Sequence, residues 1–192
     1  MTELIDERPT GCILIGGKSR RMGSPKHLLP VKNGRKSWLE HIALILTPFC
    51  REIVVAGAGE LPSGKWQRVK DAPECAGPLS GILAVSRYRP TASLLVCACD
   101  MPDISTAAVS WLLEQRRAGD RALVPKTDFY QPLFAFYDRR MGSVFEAMSK
   151  GGKFKLRYIC GMDNVRIVHP PSHLRSAWNN INYPHEVFKS RR

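Results

Sequence analysis

The sequence predicts a single α/β domain with a mostly parallel sheet flanked by helices. Short apolar runs rich in Val, Ile and Leu end near glycine or aspartate, which is typical of strands buried on both faces of a sheet. Segments with helical spacing separate these runs, and strands that alternate with helices join by right-handed crossovers into a parallel sheet. The 192 residues suit one domain with a large hydrophobic core, so we assign residues 1–192 to it.

The first half of the chain contains the clearest elements. Its apolar runs predict strands at 11–16, 52–57 and 93–99. Helical spacing predicts helices at 37–47, 78–88 and 105–118. The first helix carries Trp38, Ile42 and Ile45 on one stripe. Ser37 precedes this helix and Glu40 follows three residues later, which is the spacing of a capping box.

The second half has a less regular pattern. We expect strands at 121–124, 132–137 and 165–168, and a helix at 138–149. No internal repeat, low-complexity tract or linker interrupts the chain. This continuity supports the prediction of one domain.

The termini and the cysteines indicate a cytoplasmic protein. Residues 1–9 carry three acids where a signal peptide has cations and an apolar stretch, and we expect this segment to be disordered. Residues 189–192 form a basic tail, and no apolar run reaches the ~20 residues that span a bilayer. The six cysteines lie mostly in apolar stretches without a CxxC pair, so we expect reduced thiols in the core.

The formal net charge of +12 predicts an anionic partner. Nucleic acid, an acidic membrane and a phosphorylated small molecule all fit this charge. Seven Lys and Arg residues lie within 18–36, where the sequence has no acid. This concentration beside a glycine-rich segment favours phosphate binding by a small-molecule site.

The glycine-rich segment reads LIGGKSRRMGSPKHLLP, residues 14–30. Gly16, Gly17 and Gly23 allow backbone N–H groups to converge on an anion at the carboxyl end of a strand, the edge where open α/β sheets bind ligands. The segment is neither a Walker loop nor a GxGxxG motif. A tight turn with incidental cations would have much the same composition.

Motifs in the rest of the chain connect this segment to a known family. The spacing Gly16-Gly17-x-Ser19-x-Arg21-Met22-Gly23-x-x-Lys26 resembles that of small nucleotidyltransferases with a glycosyltransferase-A-like fold. Further segments resemble molybdenum cofactor guanylyltransferases in the same order, namely DAPECAGPLSGI (71–82), CACDMP (97–102), YQPLFAFY (130–137) and NNINYPHE (179–186). The resemblance spans nearly the whole chain and implies a three-layer, Rossmann-like domain.

The resemblance implies a role for each matching residue. Arg21, Lys26 and Asp100 are the expected catalytic residues, because cations and a metal must neutralise the triphosphate, and Asp100 is the expected ligand of Mg²⁺. The expected nucleotide-binding residues are Ile15, Gly16, Gly17, Ser19, Gly23, Lys26, Asp71, Gly77, Pro78, Gly81 and Asp100. The expected acceptor-binding residues are Gln131, Asn180 and Asn182.

Most of these residues also have a structural interpretation. Asp100 fits the cap of a following helix, and Asp71 fits a turn. Gly77 and Pro78 fit the start of a helix, Arg21 fits a solvated loop, and adjacent asparagines are common in turns. The Ser24-Pro25 sequence before Lys26 also occurs in relatives that transfer cytidylate, which leaves the base open. Gln131 stands where some relatives have His, which leaves the acceptor contact open as well.

The predicted function is transfer of GMP from GTP to the terminal phosphate of Mo-molybdopterin, with release of pyrophosphate. The alternatives within this class are a cytidylyltransferase for molybdopterin and a sugar-phosphate nucleotidyltransferase. A homologue that binds GTP without turnover and a basic nucleic-acid-binding module are further alternatives. We expect GTP and molybdopterin as partners, with other cofactor-biosynthesis proteins or molybdoenzymes as further candidates, and neither nucleic acid nor a membrane.

Overall fold

A seven-stranded sheet forms the centre of the protein in a computed structural model that describes residues 8–16, 25–31, 36–61 and 65–181. The strands are β1 (Thr10–Leu14), β2 (Glu52–Ala56), β3 (Gln67–Val69), β4 (Leu94–Ala98), β5 (Ala122–Pro125), β6 (Phe134–Tyr137) and β7 (Val165–Val168). Their order across the sheet is β3-β2-β1-β4-β6-β5-β7. The predicted mostly parallel α/β fold is confirmed.

One strand of the seven, β6, is antiparallel to the others. β6 pairs antiparallel with both β4 and β5, whereas the remaining pairs are parallel. The connection from β5 to β6 is short, and Lys126 and Tyr130 form an isolated antiparallel bridge within it. A connection of this length can join neighbouring antiparallel strands, while a parallel pair requires a longer crossover.

In the described part of the chain, four α-helices cover the two faces of the sheet. They are α1 (Trp38–Leu46), α2 (Pro78–Tyr88), α3 (Thr106–Glu114) and α4 (Met141–Lys150). Shorter 3₁₀ helices occur at Lys26–Leu28, Thr47–Phe49, Leu156–Gly161 and Ser172–Trp178. Among the described residues, no helix has both the length and the apolar character needed to cross a bilayer.

The local sequence explains where the helices begin. The Ser37 side chain accepts a hydrogen bond from the Glu40 N–H, and the Glu40 carboxylate accepts one from the Ser37 N–H, so the capping box is confirmed. The Ser105 side chain caps α3 by accepting from the Ala108 N–H at 3.2 Å. The predicted helix at 138–149 begins later, at Met141, because Asp138 closes a turn by accepting from the Arg140 N–H.

The buried apolar residues form two clusters, one on each face of the sheet, which gives three layers of helix, sheet and helix. Successive side chains of β1 point to opposite faces, so Ile13 packs with α1 and α3 while Cys12 packs with α2 and α4. All six cysteines are free, and four of them are buried. Burial in this core raises the pKa of the Cys99 thiol to about 12, which keeps it protonated at neutral pH.

The sequence analysis did not predict the edge strand β3, and most of its expectations for the chain ends fall outside the described residues. The short edge strand β3 was missed because its residues, including the exposed Gln67 and Arg68, lack an apolar run. Residues 1–7 and 189–192, where we expected a disordered segment and a basic tail, lie outside the described residues. The described part of the N-terminal segment includes Pro9, whose carbonyl accepts from the Arg51 N–H at 3.0 Å.

We predict that Trp178 is a major contributor to stability. Its indole is 1% exposed, stacks on Phe134 with ring centroids 4.8 Å apart, and donates through Nε1 to the Phe134 carbonyl at 3.0 Å. The Trp178→Ala substitution should lower the free energy of unfolding by about 3–5 kcal/mol, measured by urea denaturation. Leu44→Ala, at a side chain that is 54% exposed, is the control and should change it by less than about 0.5 kcal/mol. Equal effects of the two substitutions would contradict this assignment.

Candidate active site

The carboxyl ends of three adjacent strands form the candidate site. β1 lies between β2 and β4, and its last residue Leu14 is in register with Ala56 and Ala98. The chain continues these pairings beyond the strands, because Ile15 donates to the Ala56 carbonyl at 2.8 Å and Cys99 donates to the Leu14 carbonyl at 3.0 Å. The start of the glycine-rich segment and the end of β4 are therefore neighbours at the same sheet edge.

A glycine after β2 allows this close packing. Gly57 has φ +120°, and a Cβ atom there would lie 1.8 Å from the Ile15 carbonyl oxygen. No side chain fits this position without displacement of the backbone. The turn that follows β1 is thereby held against the turn that follows β2.

A cavity of about 310 Å³ opens at this edge. Seven of the predicted nucleotide-binding residues line it: Ile15, Gly16, Asp71, Gly77, Pro78, Gly81 and Asp100. The remaining lining residues are Leu14, Ala56, Ser80, Ala98, Cys99 and Leu133. The structure therefore brings residues from four separate sequence motifs to one cavity.

The segment 71–81 forms one wall of the cavity. Ser80 fixes its shape, because the Ser80 hydroxyl donates to the Gly77 carbonyl at 2.6 Å and the Ala72 N–H donates to the Ser80 carbonyl at 3.1 Å. Gly77 has φ +67°, a conformation that favours glycine. A Cβ atom on Gly81 would lie 2.9 Å from Leu14 Cδ2 and 3.2 Å from Asp71 Oδ1, so glycine keeps this wall open.

The carboxyl group of Asp71 lies beside this wall. Partial burial raises its pKa above the ordinary value, while the hydrogen bond with Ser80 and the charge of Arg68 oppose the rise. Asp71 thus offers a hydrogen-bond acceptor, or a donor when protonated, to a molecule in the cavity.

Asp100 follows β4 and carries the buried carboxylate of the site. Its Oδ2 atom lies 3.5 Å from Lys26 Nζ, while its buried Oδ1 atom has no hydrogen-bond partner among the described residues. Burial raises the pKa of Asp100, and the nearby Lys26 charge opposes this rise. A carboxylate oxygen without a partner is costly inside a protein, which suits a site that binds a cation.

Lys26 connects distant parts of the chain at this point. It begins the 3₁₀ helix Lys26–Leu28, and its ammonium group also donates to the Ile181 carbonyl at 2.8 Å. The Ile181 N–H donates in turn to the Asp100 carbonyl at 2.9 Å. These contacts place residue 180, the exposed Asn180, next to the strand end that carries Asp100.

Gln131, an expected acceptor-binding residue, is not among the residues that line the cavity. Its side-chain amide donates to the Thr127 hydroxyl at 2.9 Å, and its own N–H donates to the Pro125 carbonyl. Leu133, two residues later, is the residue of this segment that lines the cavity. The role of Gln131 therefore stays a prediction.

Other expected site residues lie outside the described part of the chain. They are Gly17, Ser19, Arg21, Gly23 and Asn182. Their roles stay predictions that rest on the resemblance of motifs.

Several lining residues were missed by the sequence interpretation. Ala56 and Ala98 each end a strand adjacent to β1, so the predicted strand ends contained a signal for both of them. Leu133 and Ser80 carried a weaker signal. Each lies inside a motif given above, but leucine is common in any core and serine is common near the start of any helix. Their positions depend on how the motifs pack together in space.

The described residues contain no group of three or more His, Cys, Asp or Glu side chains that would form a complete metal site. Magnesium commonly binds through one or two carboxylates, with substrate phosphates and water as its other ligands. The Oδ1 atom of Asp100, which is buried and unpaired within the described part of the chain, has the chemistry of such a ligand.

Comparisons with known proteins agree with the motifs. The probable molybdenum cofactor guanylyltransferase of Pelotomaculum thermopropionicum is 32% identical over 95% of this chain and 91% of its own length. That of Bacillus mycoides is 28% identical over 82% of both chains. Molybdopterin-guanine dinucleotide biosynthesis protein A from Archaeoglobus fulgidus has the same fold, with a TM-score of 0.75 over 94% of this chain and 96% of its own, at 24% identity.

The family assignment follows from a match over most of the chain. Residues 11–178 match the MobA-like NTP transferase domain, a range that includes all seven strands except the first residue of β1. The motif resemblance is therefore confirmed. The chain belongs to the MobA-like NTP transferase domain family.

Proposed function

We propose that this protein is a molybdenum cofactor guanylyltransferase, which transfers GMP from GTP to the terminal phosphate of Mo-molybdopterin. The observation that carries the proposal is the cavity at the sheet edge, where the start of the glycine-rich segment, the 71–81 wall and Asp100 meet. The relative from Pelotomaculum thermopropionicum, named as such an enzyme, supports the choice of reaction.

The reaction requires charge to be neutralised around the triphosphate. A phosphate oxygen of the acceptor attacks the α-phosphorus of GTP and forms a new P–O bond. The bond from the α-phosphorus to the oxygen that bridges to the β-phosphorus breaks, and pyrophosphate leaves with that electron pair. Protein cations and preorganised N–H groups accelerate such transfers by stabilising the charge on the phosphoryl oxygens.

Lys26 is positioned to stabilise this charge. Its ammonium group is held beside Asp100 by the Ile181 carbonyl, and a lysine has three donors with which to bind oxygen. In our proposal, Lys26 and Arg21 contact the triphosphate, and the backbone N–H groups around Gly16 and Gly17 complete the anion site. Ser19 and Gly23 belong to the same proposed phosphate-binding turn.

Asp100 is the residue that would hold Mg²⁺. The bound ion would supply Lewis-acid stabilisation of the phosphoryl oxygens and of the departing pyrophosphate. Asp100 must be ionised for this role. Burial opposes ionisation by raising the pKa of Asp100, and the neighbouring Lys26 charge favours the ionised form. Oδ1 has no hydrogen-bond partner in the described part of the chain, so it would bind the cation without loss of the existing Lys26 contact.

The 71–81 wall supports guanine as the base. Gly77, Pro78 and Gly81 present backbone to the cavity, which allows a flat purine to approach closely. Asp71 would contact the guanosine or its ribose. The Gly-Pro-Leu-Ser-Gly sequence, which resembles that of the guanylyltransferases, favours guanine as the base. Cytosine would be the base if the protein were a cytidylyltransferase.

The remaining expectations are proposals of the same kind. Gln131, Asn180 and Asn182 would contact the acceptor. Asn180 directly precedes Ile181, whose N–H donates to the Asp100 carbonyl. GTP and molybdopterin would be the substrates, in the cytoplasm, and other cofactor-biosynthesis proteins or molybdoenzymes are candidate partners. The limited volume of the cavity favours a phosphorylated small molecule over nucleic acid as its ligand.

The substitution Asp100→Asn should abolish turnover while the protein stays folded. It removes the charge that would bind the cation but keeps the size of the side chain. We expect the rate of pyrophosphate release with GTP, Mg²⁺ and molybdopterin to fall by at least about 100-fold. Asp163→Asn, at an exposed aspartate outside the cavity, is the matched control and should retain the normal rate. A normal rate in the Asp100 variant would refute its proposed role.

Gly81→Ala should weaken the binding of GTP. The added methyl group would crowd Leu14 and Asp71 in the wall of the cavity. We expect GTP with Mg²⁺ to raise the melting temperature of the wild type more than CTP does, and expect this shift to shrink in the variant. Gly161→Ala is the control, because nothing lies within 4 Å of a Cβ atom there. A larger shift with CTP would favour the cytidylyltransferase alternative.

A further inference from the structure

The 71–81 wall of the cavity is joined to helix α4 by contacts that lie outside the cavity. The first part of this wall folds into a tight turn, which is closed by a hydrogen bond from the Cys75 N–H to the Ala72 carbonyl at 3.1 Å. The turn connects Asp71 to Gly77, and both of these residues line the cavity. A contact that holds the turn therefore also holds the wall on both sides of it.

Arg87, in the last turn of α2, connects the turn to α4. Its Nη1 atom lies 2.6 Å from Glu74 Oε1, while its Nε and Nη2 atoms donate to the two carboxylate oxygens of Glu146 at 2.6 and 2.9 Å. One guanidinium group thus contacts a carboxylate on the wall and a carboxylate on α4. Isolated exposed ion pairs contribute little, but a bidentate arginine within a network fixes the relative positions of its partners.

Both carboxylates are ionised at neutral pH. Hydrogen bonds from its own backbone N–H and from the Arg87 guanidinium lower the pKa of Glu74. The hydrogen bonds from Arg87 also lower the pKa of Glu146. The three groups therefore keep their charges, and the network stays intact, near neutral pH.

A second contact joins the same turn to α4. The Cys75 thiol donates to the Ser149 hydroxyl at 3.0 Å, and Ser149 is buried near the end of α4. Phe145 and Met148 of this helix are buried in the core cluster on the same face of the sheet. The turn is thus attached to a helix that is itself held in place by the core.

We infer that Arg87 is a positioning residue for the nucleotide, which holds the 71–81 wall in its base-binding conformation by contacting Glu74 and Glu146 at once. Arg87 is not among the residues that line the cavity, so it acts through the wall and not on GTP itself. A wall that is ordered before GTP arrives loses less conformational entropy on binding, which strengthens affinity. The inference rests on the proposed function, because it concerns the nucleotide site of that reaction.

Removal of Arg87 should weaken GTP binding while the protein stays folded, because its side chain is 43% exposed. For Arg87→Met, we expect the Kd of GTP with Mg²⁺, measured by calorimetry, to rise about 3- to 5-fold, as for the loss of a small exposed ion-pair network. KM for GTP should rise with Kd, while kcat stays within about twofold because the contact is the same in the ground state and the transition state.

Arg89→Met is the matched control. Arg89 directly follows α2 and binds Glu52 with the same bidentate geometry, at 2.5 and 2.9 Å. Glu52 begins β2, so this pair lies at the opposite end of that strand from the cavity. We expect this substitution to lower the melting temperature as much as Arg87→Met does, and to leave the Kd of GTP within about 1.5-fold of the wild type.

A double-mutant cycle tests whether Arg87 acts through the wall. Glu74→Gln should weaken GTP binding about as much as Arg87→Met does, and the two substitutions together should have no further effect, because each breaks the same contact. Additive effects, or equal Kd values for the Arg87 and Arg89 variants, would overturn the inference if the wild type binds GTP. Absence of GTP binding by the wild type would instead overturn the proposed function, and the inference with it.

Discussion

The contact between the Asp100 carboxylate and the Lys26 ammonium organises the candidate site. A carboxylate at the end of a buried strand is costly without a partner, and the Lys26 charge 3.5 Å away offsets part of that cost. The Ile181 carbonyl accepts a hydrogen bond from the Lys26 ammonium group, and the Ile181 N–H donates to the Asp100 carbonyl. Three segments that are far apart in the sequence are thereby joined at one point.

The parallel sheet makes this convergence possible. Because β1 lies between β2 and β4, the residues that follow β1 have a strand end on each side. The first turns of α2 line the cavity at this edge. Open α/β sheets bind ligands at this carboxyl edge for the same geometric reason. The glycines at positions 57 and 81 act at this edge by excluding side chains that would fill the space.

The sequence was sufficient to predict the strands and the acid that surround the cavity, but not all of its walls. β1, β2 and β4 are continuous apolar runs, and Asp100 ends one of them, so local pattern alone located these elements. β3 is short and polar, and no local pattern distinguished it from a loop. A neighbouring cavity is lined by Gly77, Pro132 and Lys155, which belong to three segments with no common motif. Their proximity depends on the packing of α2 and α4 over the sheet.

The most direct measurement is a crystal structure with Mn²⁺ and a GTP analogue that cannot be hydrolysed, in which anomalous scattering locates the metal. We predict a manganese peak bonded to the Asp100 carboxylate, with the guanine beside Gly81 and the triphosphate between the glycine-rich segment and Lys26. Metal bound to other residues, or a nucleotide outside the cavity of β1, β2 and β4, would contradict the account.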